Sequence, residues 1–136
     1  MKKIKIILFL VLAALPLLGL SQRYICTIES QSYRMKYGTE WDNWSEWQEA
    51  SGKVVIDLDK NIVRTTMGEG HEYDLYAYEG EESDGHGGEV HVYKMMEEDG
   101  DFGTLSLRLG DNFQVYIRFG NIQIVYNIGS VKEVNP

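Results

Sequence analysis

Residues 104–128 read TLSLRLGDNFQVYIRFGNIQIVYNI, and this stretch decides the fold. Apolar and polar side chains alternate with period two along it, broken twice by short runs of turn-forming residues. That is the pattern of three consecutive β-strands with one buried face. Gly120-Asn121 is a two-residue hairpin loop in which glycine accepts the positive φ such loops require. Closing it pairs Phe119 with Ile122, Ile117 with Ile124, Val115 with Tyr126 and Phe113 with Ile128, all on one face. The opposite face carries Gln114, Tyr116 and Arg118 against Gln123, Val125 and Asn127. A slip of one residue would set apolar against polar positions, so the pairing is strongly specified.

The preceding turn follows from the same logic. A two-residue loop at Gly110-Asp111 would oppose Leu107 to Gln114 and mix the faces. A three-residue loop, Gly110-Asp111-Asn112, instead pairs Leu109 with Phe113, Leu107 with Val115 and Leu105 with Ile117. Asn112 tolerates the left-handed conformation that ends such loops. Each of these large apolar side chains contributes roughly 1.5–3 kcal/mol when fully buried, which makes this face the expected core.

Working back towards the N-terminus, the chain reads as more of the same, with no useful helical periodicity. The expected strands run from about Tyr24 to Lys36, Trp44 to Leu58 (with a bulge at Ser51-Gly52), Ile62 to Met67, Glu72 to Tyr78 and Glu89 to Met96. A two-residue Lys60-Asn61 turn would pair Leu58 with Val63 and place Asp57 across from Arg64 as an ion pair. Residues 79–88 read as an acidic loop, and Asp99-Gly100 as a hairpin turn. The fold class is therefore all-β: an antiparallel up-and-down meander of about eight strands, forming a curled sheet or a small closed barrel. Closure removes exposed edges, and eight strands enclose just enough space for side chains or one small ligand. In strand count this resembles the lipocalin-like (calycin) architecture. The lipocalin Gly-x-Trp signature is absent, since two residues separate Gly38 from Trp41, so the resemblance carries over no binding residue. A lipid-facing outer-membrane barrel fits less well. Phe113–Phe119 is short for a tilted span, and Thr65, Thr66, Glu72 and Asp74 leave no clean apolar face on their strands.

The N-terminal 21 residues have the form of an export signal. Lys2, Lys3 and Lys5 precede an apolar stretch from Ile6 to Leu18, and Gly19-Leu20-Ser21 forms a small-x-small cleavage site. The leader resembles signal peptides of Gram-negative bacteria, particularly Bacteroidota, which implies a periplasmic or secreted product. Residues 22–136 then form a single β domain with no stable membrane span. The leader removes three of 13 basic residues and none of the 21 acidic ones, so 10 face 21 and the net charge is −11. That balance argues against nucleic acid and anionic membranes as partners. The single cysteine, Cys26, shares strand parity with Tyr24 and Ile28 and is expected to be a buried thiol in a monomer.

Three groups of residues are candidates for a site. Trp41, Trp44 and Trp47, interleaved with polar residues, suit an aromatic platform, although tryptophans in such a run are more often partly buried packing residues. On a regular strand Trp41 and Trp47 would share a face and Trp44 would oppose them. The acidic run supplies Glu81, Asp84, His86 and His91, with Glu79, Glu82 and Glu89 alongside. These are ligand types for divalent cations, but their spacing matches no defined metal motif, and a solvated loop accounts for them. The loop lies at the same end of a meander as Asp59 and Asp111, where a composite cation site is geometrically possible. Lys94 faces inward as an anion anchor if Asp99-Gly100 is a two-residue turn; a longer turn puts His91, Tyr93 and Met95 inward instead. His71, flanked by Glu69 and Glu72, is no more than so acidic a chain produces by chance. No Gly-x-Ser-x-Gly, paired-histidine or phosphate-loop motif occurs, so neither an enzyme nor a cofactor is expected. The expected function is binding of a small amphipathic molecule at the open end of the sheet. The alternative is an interaction module that meets a protein or glycan through the tryptophan run or the acidic loop.

Overall fold

A computed structural model describes residues 23–66, 70–83, 88–109 and 112–134. The expected leader, Gln22, Asp84, His86 and Asp111 fall outside the described residues. Among those described, nine strands and no helix occur: β1 (Arg23–Tyr37), β2 (Glu40–Trp41), β3 (Gln48–Asp57), β4 (Ile62–Thr65), β5 (His71–Ser83), β6 (Glu89–Glu97), β7 (Phe102–Leu109), β8 (Gln114–Phe119) and β9 (Ile122–Val134). Every pairing is antiparallel, and β1 followed by β3 to β9 forms an up-and-down meander. β1 and β9 pair along their lengths, from Arg23 against Val134 to Met35 against Ile122, and so close an eight-stranded barrel. β2 is an added two-residue strand on the end of β1.

The register argued for the C-terminal strands holds. Phe119 opposes Ile122, Ile117 opposes Ile124 and Val115 opposes Tyr126, with Gly120 at φ 54° in the turn. Leu107 opposes Val115 and Leu105 opposes Ile117, as a three-residue β7–β8 loop requires. Inward residues of these strands join Tyr24, Cys26, Ile28, Val54, Ile56 and Val63 in one core. The expected β3 bulge is present too, with the register against β1 shifting between Gly52 and Glu49. Outward positions carry Arg64, Glu72, Lys94 and Arg118, unlike the apolar outer band of a lipid-facing barrel.

Four expectations are corrected. The β3–β4 turn spans four residues rather than two, so Asp57 opposes Ile62, and Val55 rather than Asp57 opposes Arg64. The Asp57 carboxylate instead accepts the Lys60 N–H at 3.1 Å, and Asn61 takes the left-handed conformation at φ 55°. A carboxylate that caps its own turn removes the need for the cross-strand ion pair. The β6–β7 loop has three residues, with Met96 opposing Phe102 and Glu97 N–H donating to the Asp101 carbonyl. Residues 79–83 are strand rather than loop. Two bulges and Gly80 at φ 106° let β5 stay paired with β6 to Ser83. Lastly, residues 42–47 do not begin a strand. Asp42 and Ser45 fasten them to β1 through side chains: Asp42 Oδ1 accepts Met35 N–H at 2.8 Å, and Ser45 Oγ accepts Tyr33 N–H at 3.0 Å.

Candidate functional site

The core thins along β8 and β9. Phe113 and Val115 are sealed, whereas Ile122 at the far end of the same face is 38% exposed. The barrel therefore has one packed end and one open end, the latter marked by the β8–β9 turn. A cavity of about 470 Å³ occupies the open end. Its apolar wall is formed by Ile117, Phe119, Ile122, Ile124, Tyr73 and Tyr126, and Gln31, Thr65, His71 and Glu97 supply polar groups. This volume lies within the ~300–1,000 Å³ of small-molecule pockets.

Local sequence explains why the wall is where it is. Gly103 opposes Phe119, and the Phe119 ring lies across the space where a Cβ at residue 103 would stand, 2.6 Å from that ring. Phe119 in turn packs on Tyr73 with ring centroids 5.2 Å apart. Tyr73 stacks against His71 at 6.1 Å, and His71 Nδ1 lies 4.0 Å from Glu97 Oε1. Burial pushes the Tyr73 hydroxyl up to about 12, with smaller contributions from Glu97 and Tyr126. Glu97 is also raised, by desolvation and then by the nearby carboxylate of Asp99, against the opposing pull of His71. The site thus joins an aromatic and aliphatic wall to a rim that carries a phenol, an imidazole and a carboxyl group. It can shelter an apolar body and hydrogen-bond a polar head.

The candidates drawn from sequence are placed elsewhere. Trp41 and Trp44 lie on the outside of the β1–β9–β8 wall and do not line the cavity. Arg34 stacks on both, 4.9 and 4.5 Å from their ring centroids, and Arg118 on Trp41 at 5.1 Å. Trp44 also meets Tyr116 edge-on at 6.1 Å, while Trp47 is half exposed. Arg34 and Arg118 themselves occupy ring surface that a flat ligand would need. The three-residue β6–β7 loop turns Lys94 outward, where it pairs with Glu79 at 2.9 Å, so no inward ammonium faces the interior at this position. That exposed pair, which raises the Lys94 ammonium, carries little energetic weight.

Of the acidic run, Glu81 and His91 are brought together as direct cross-strand partners, with Glu89 two residues before His91 on the same face. One ligand atom from each lies within 4.8 Å of the others. Glu97, Asp99 and Asp101 make a second, more exposed group at the opposite end of β6.

Sequence reading missed His71, Glu97, Thr65 and Gln31 as lining residues. The inward parity of His71 with Tyr73 was the available signal.

These features define a small closed antiparallel β-barrel, of the architecture seen in lipocalin-like proteins, with a cavity at its open end. No protein-family model matches the chain, and no curated protein or solved structure matches it.

Proposed function

We propose that the protein is an exported, non-enzymatic barrel that binds one small amphipathic molecule in the open-end cavity, a lipocalin-like role. The 470 Å³ space between Ile117, Ile124, Phe119 and Tyr126 is the observation that supports this reading. The apolar body of the ligand lies against that wall, and its head meets His71 and Glu97 at the rim. With Glu72, Glu98 and Asp99 around the mouth, a neutral or cationic head is favoured over an anionic one. The interaction-module alternative, through the tryptophan run or the acidic loop, loses part of its tryptophan surface to the arginine stacking on Trp41 and Trp44. Export accords with the N-terminal signal and places the ligand outside the cytoplasm.

The test is binding of the neutral fluorophore N-phenyl-1-naphthylamine to wild type and to Ile124→Trp, which fills the cavity from β9. Wild type is expected to bind one equivalent and the variant at least ~10-fold more weakly, as loss of the apolar contact area implies. Equal binding by both would refute the cavity as the site. Native mass spectrometry of protein purified from its exporting host then weighs the natural occupant.

A further inference from the structure

The opposite end of β6 holds a second set of groups with a different chemistry. His91 faces inward across from Leu107 and is 3% exposed. Its Nδ1 is hydrogen-bonded to the Tyr78 hydroxyl at 2.7 Å, and the Tyr78 ring lies against it at 6.0 Å and 22°. Its Nε2 is buried and has no hydrogen-bond partner among the described residues, and the same is true of Glu89 Oε2, 3.5 Å away.

Neither neutral tautomer of His91 satisfies these two atoms, and protonating both nitrogens leaves the same 3.5 Å gap. If Tyr78 donates to Nδ1, the proton on Nε2 faces an oxygen at 3.5 Å, beyond the ~2.7–3.2 Å of an N–H···O bond. If Nδ1–H donates to Tyr78, an Nε2 lone pair faces a carboxylate lone pair, two acceptors with nothing between them. A cation between them resolves the conflict. Two N/O ligands bound at about 2.0–2.1 Å to one tetrahedral ion stand about 3.3–3.4 Å apart, close to the separation observed. Glu81, paired with His91 across the β5–β6 ladder, adds a third ligand, and one ligand atom from each of the three residues lies within 4.8 Å of the others.

We propose that Glu81, Glu89 and His91 form a binding site for one divalent transition-metal ion of the zinc class. The donor set of one imidazole and two carboxylates suits zinc and its neighbours rather than calcium or magnesium, which prefer all-oxygen shells. Tyr78 is a positioning residue: its contact with Nδ1 fixes the ring so that Nε2 points at the ion. The exposed side of Glu81 leaves the fourth coordination position to water. A bound ion ties β5 to β6 in the part of the hairpin that runs on past β4, whose pairing with β5 ends at Asp74. The site lies six to eight residues along β6 from the cavity rim at Glu97, about 20–26 Å at strand rise, so it stands independently of the cavity reading.

The experiment is calorimetric titration of the purified, chelator-stripped protein with zinc chloride, with magnesium chloride as control. Alongside it, nitrogen-detected NMR follows the three histidine side chains. One equivalent of zinc should bind, magnesium should not, and the shift should fall on Nε2 of His91. Glu89→Gln should weaken zinc binding by at least ~10-fold, and Tyr78→Phe by about 10- to 100-fold while preserving stoichiometry. Glu81→Gln should give the same weakening at an exposed position outside the packed core. Zinc binding unchanged in Glu81→Gln and Glu89→Gln, a shift confined to other histidines, or no zinc binding would overturn the proposal.

Discussion

Replacing Gly103 with alanine should destabilise the barrel, although the same change in an ordinary strand is favourable. Alanine usually gains roughly 0.5–1 kcal/mol over glycine inside a strand because it restricts the unfolded chain. At residue 103 a Cβ would stand 2.4 Å from the Arg118 carbonyl oxygen and 2.6 and 2.7 Å from Cε1 and Cδ1 of Phe119. A comfortable carbon–oxygen approach is about 3.3 Å, so β7 and β8 would have to part by about 0.9 Å. The oxygen belongs to the Arg118 backbone, in the ladder between Thr104 and Gln123, and cannot swing aside as a side-chain tip would. The ring can move, but only by giving up its contact with Tyr73. Overpacking costs about 1–3 kcal/mol, and against a fixed backbone oxygen the upper part of that range applies, so after the propensity gain a net loss of about 1–2 kcal/mol remains. For a domain of this size that lowers Tm by about 4–8 °C in a thermal melt followed by circular dichroism. The double variant with Phe119→Leu should recover only the ring's share of the loss. A Gly103→Ala protein that melts at or above wild type would refute the packing argument.

Three further outcomes are expected. Asp57→Ala should cost about 1 kcal/mol in urea unfolding by uncapping the β3–β4 turn; coupling above ~0.5 kcal/mol to Arg64→Ala in a double-mutant cycle would restore the ion pair rejected above. The Tyr73 and Tyr93 hydroxyls are both pushed up to about 12, chiefly by burial. Between pH ~10, where an unfolded tyrosine titrates, and about 12, the folded chain therefore binds more protons than the unfolded one. The stability these phenols contribute is complete below pH ~10 and lost on rising through about 12, by about 2 kcal/mol each. Phenolate absorbance that rises near 10 for every tyrosine, with the fold intact, would contradict this. Cys26, fully buried, should react with a thiol reagent only in denaturant; rapid labelling of the native protein would show that strands β1, β3 and β9 open easily.

Much of the architecture was legible because turn chemistry and alternation agreed at β7 to β9. Where they parted, the reading failed for definite reasons. Two-residue and four-residue β3–β4 turns give every side chain the same face, so the hydrophobic pattern could not separate them, and the Asp57 cap decided. At β6 the residues Val92, Tyr93, Lys94, Met95 and Met96 offer an apolar side chain on either face. A loop longer by one residue then reversed the whole strand, carrying Lys94 out and His91 in. The tryptophans advertised a platform by residue type, but Arg34, folded back across the β1–β2 turn, and Arg118, remote in sequence, cover part of it. The cavity was hidden in the very pattern that marked the core. Ile117, Phe119, Ile122 and Ile124 continue the alternation of Phe113 and Val115 without a break. Whether such a face is filled or hollow depends on what the opposite strands present, here Thr65, His71 and Glu97. The Glu81–His91 pairing became visible only once two bulges carried β5 to Ser83.

The central claim is that the open end of the barrel receives the ligand, and methyl NMR of isoleucine-labelled protein titrated with N-phenyl-1-naphthylamine addresses it most directly. Saturable shifts at Ile117, Ile122 and Ile124, with Ile56 at the packed end unmoved, are the predicted result. Saturable shifts at the Trp41, Trp44 and Trp47 indoles with those three isoleucines unmoved would contradict it and transfer the site to the outer wall.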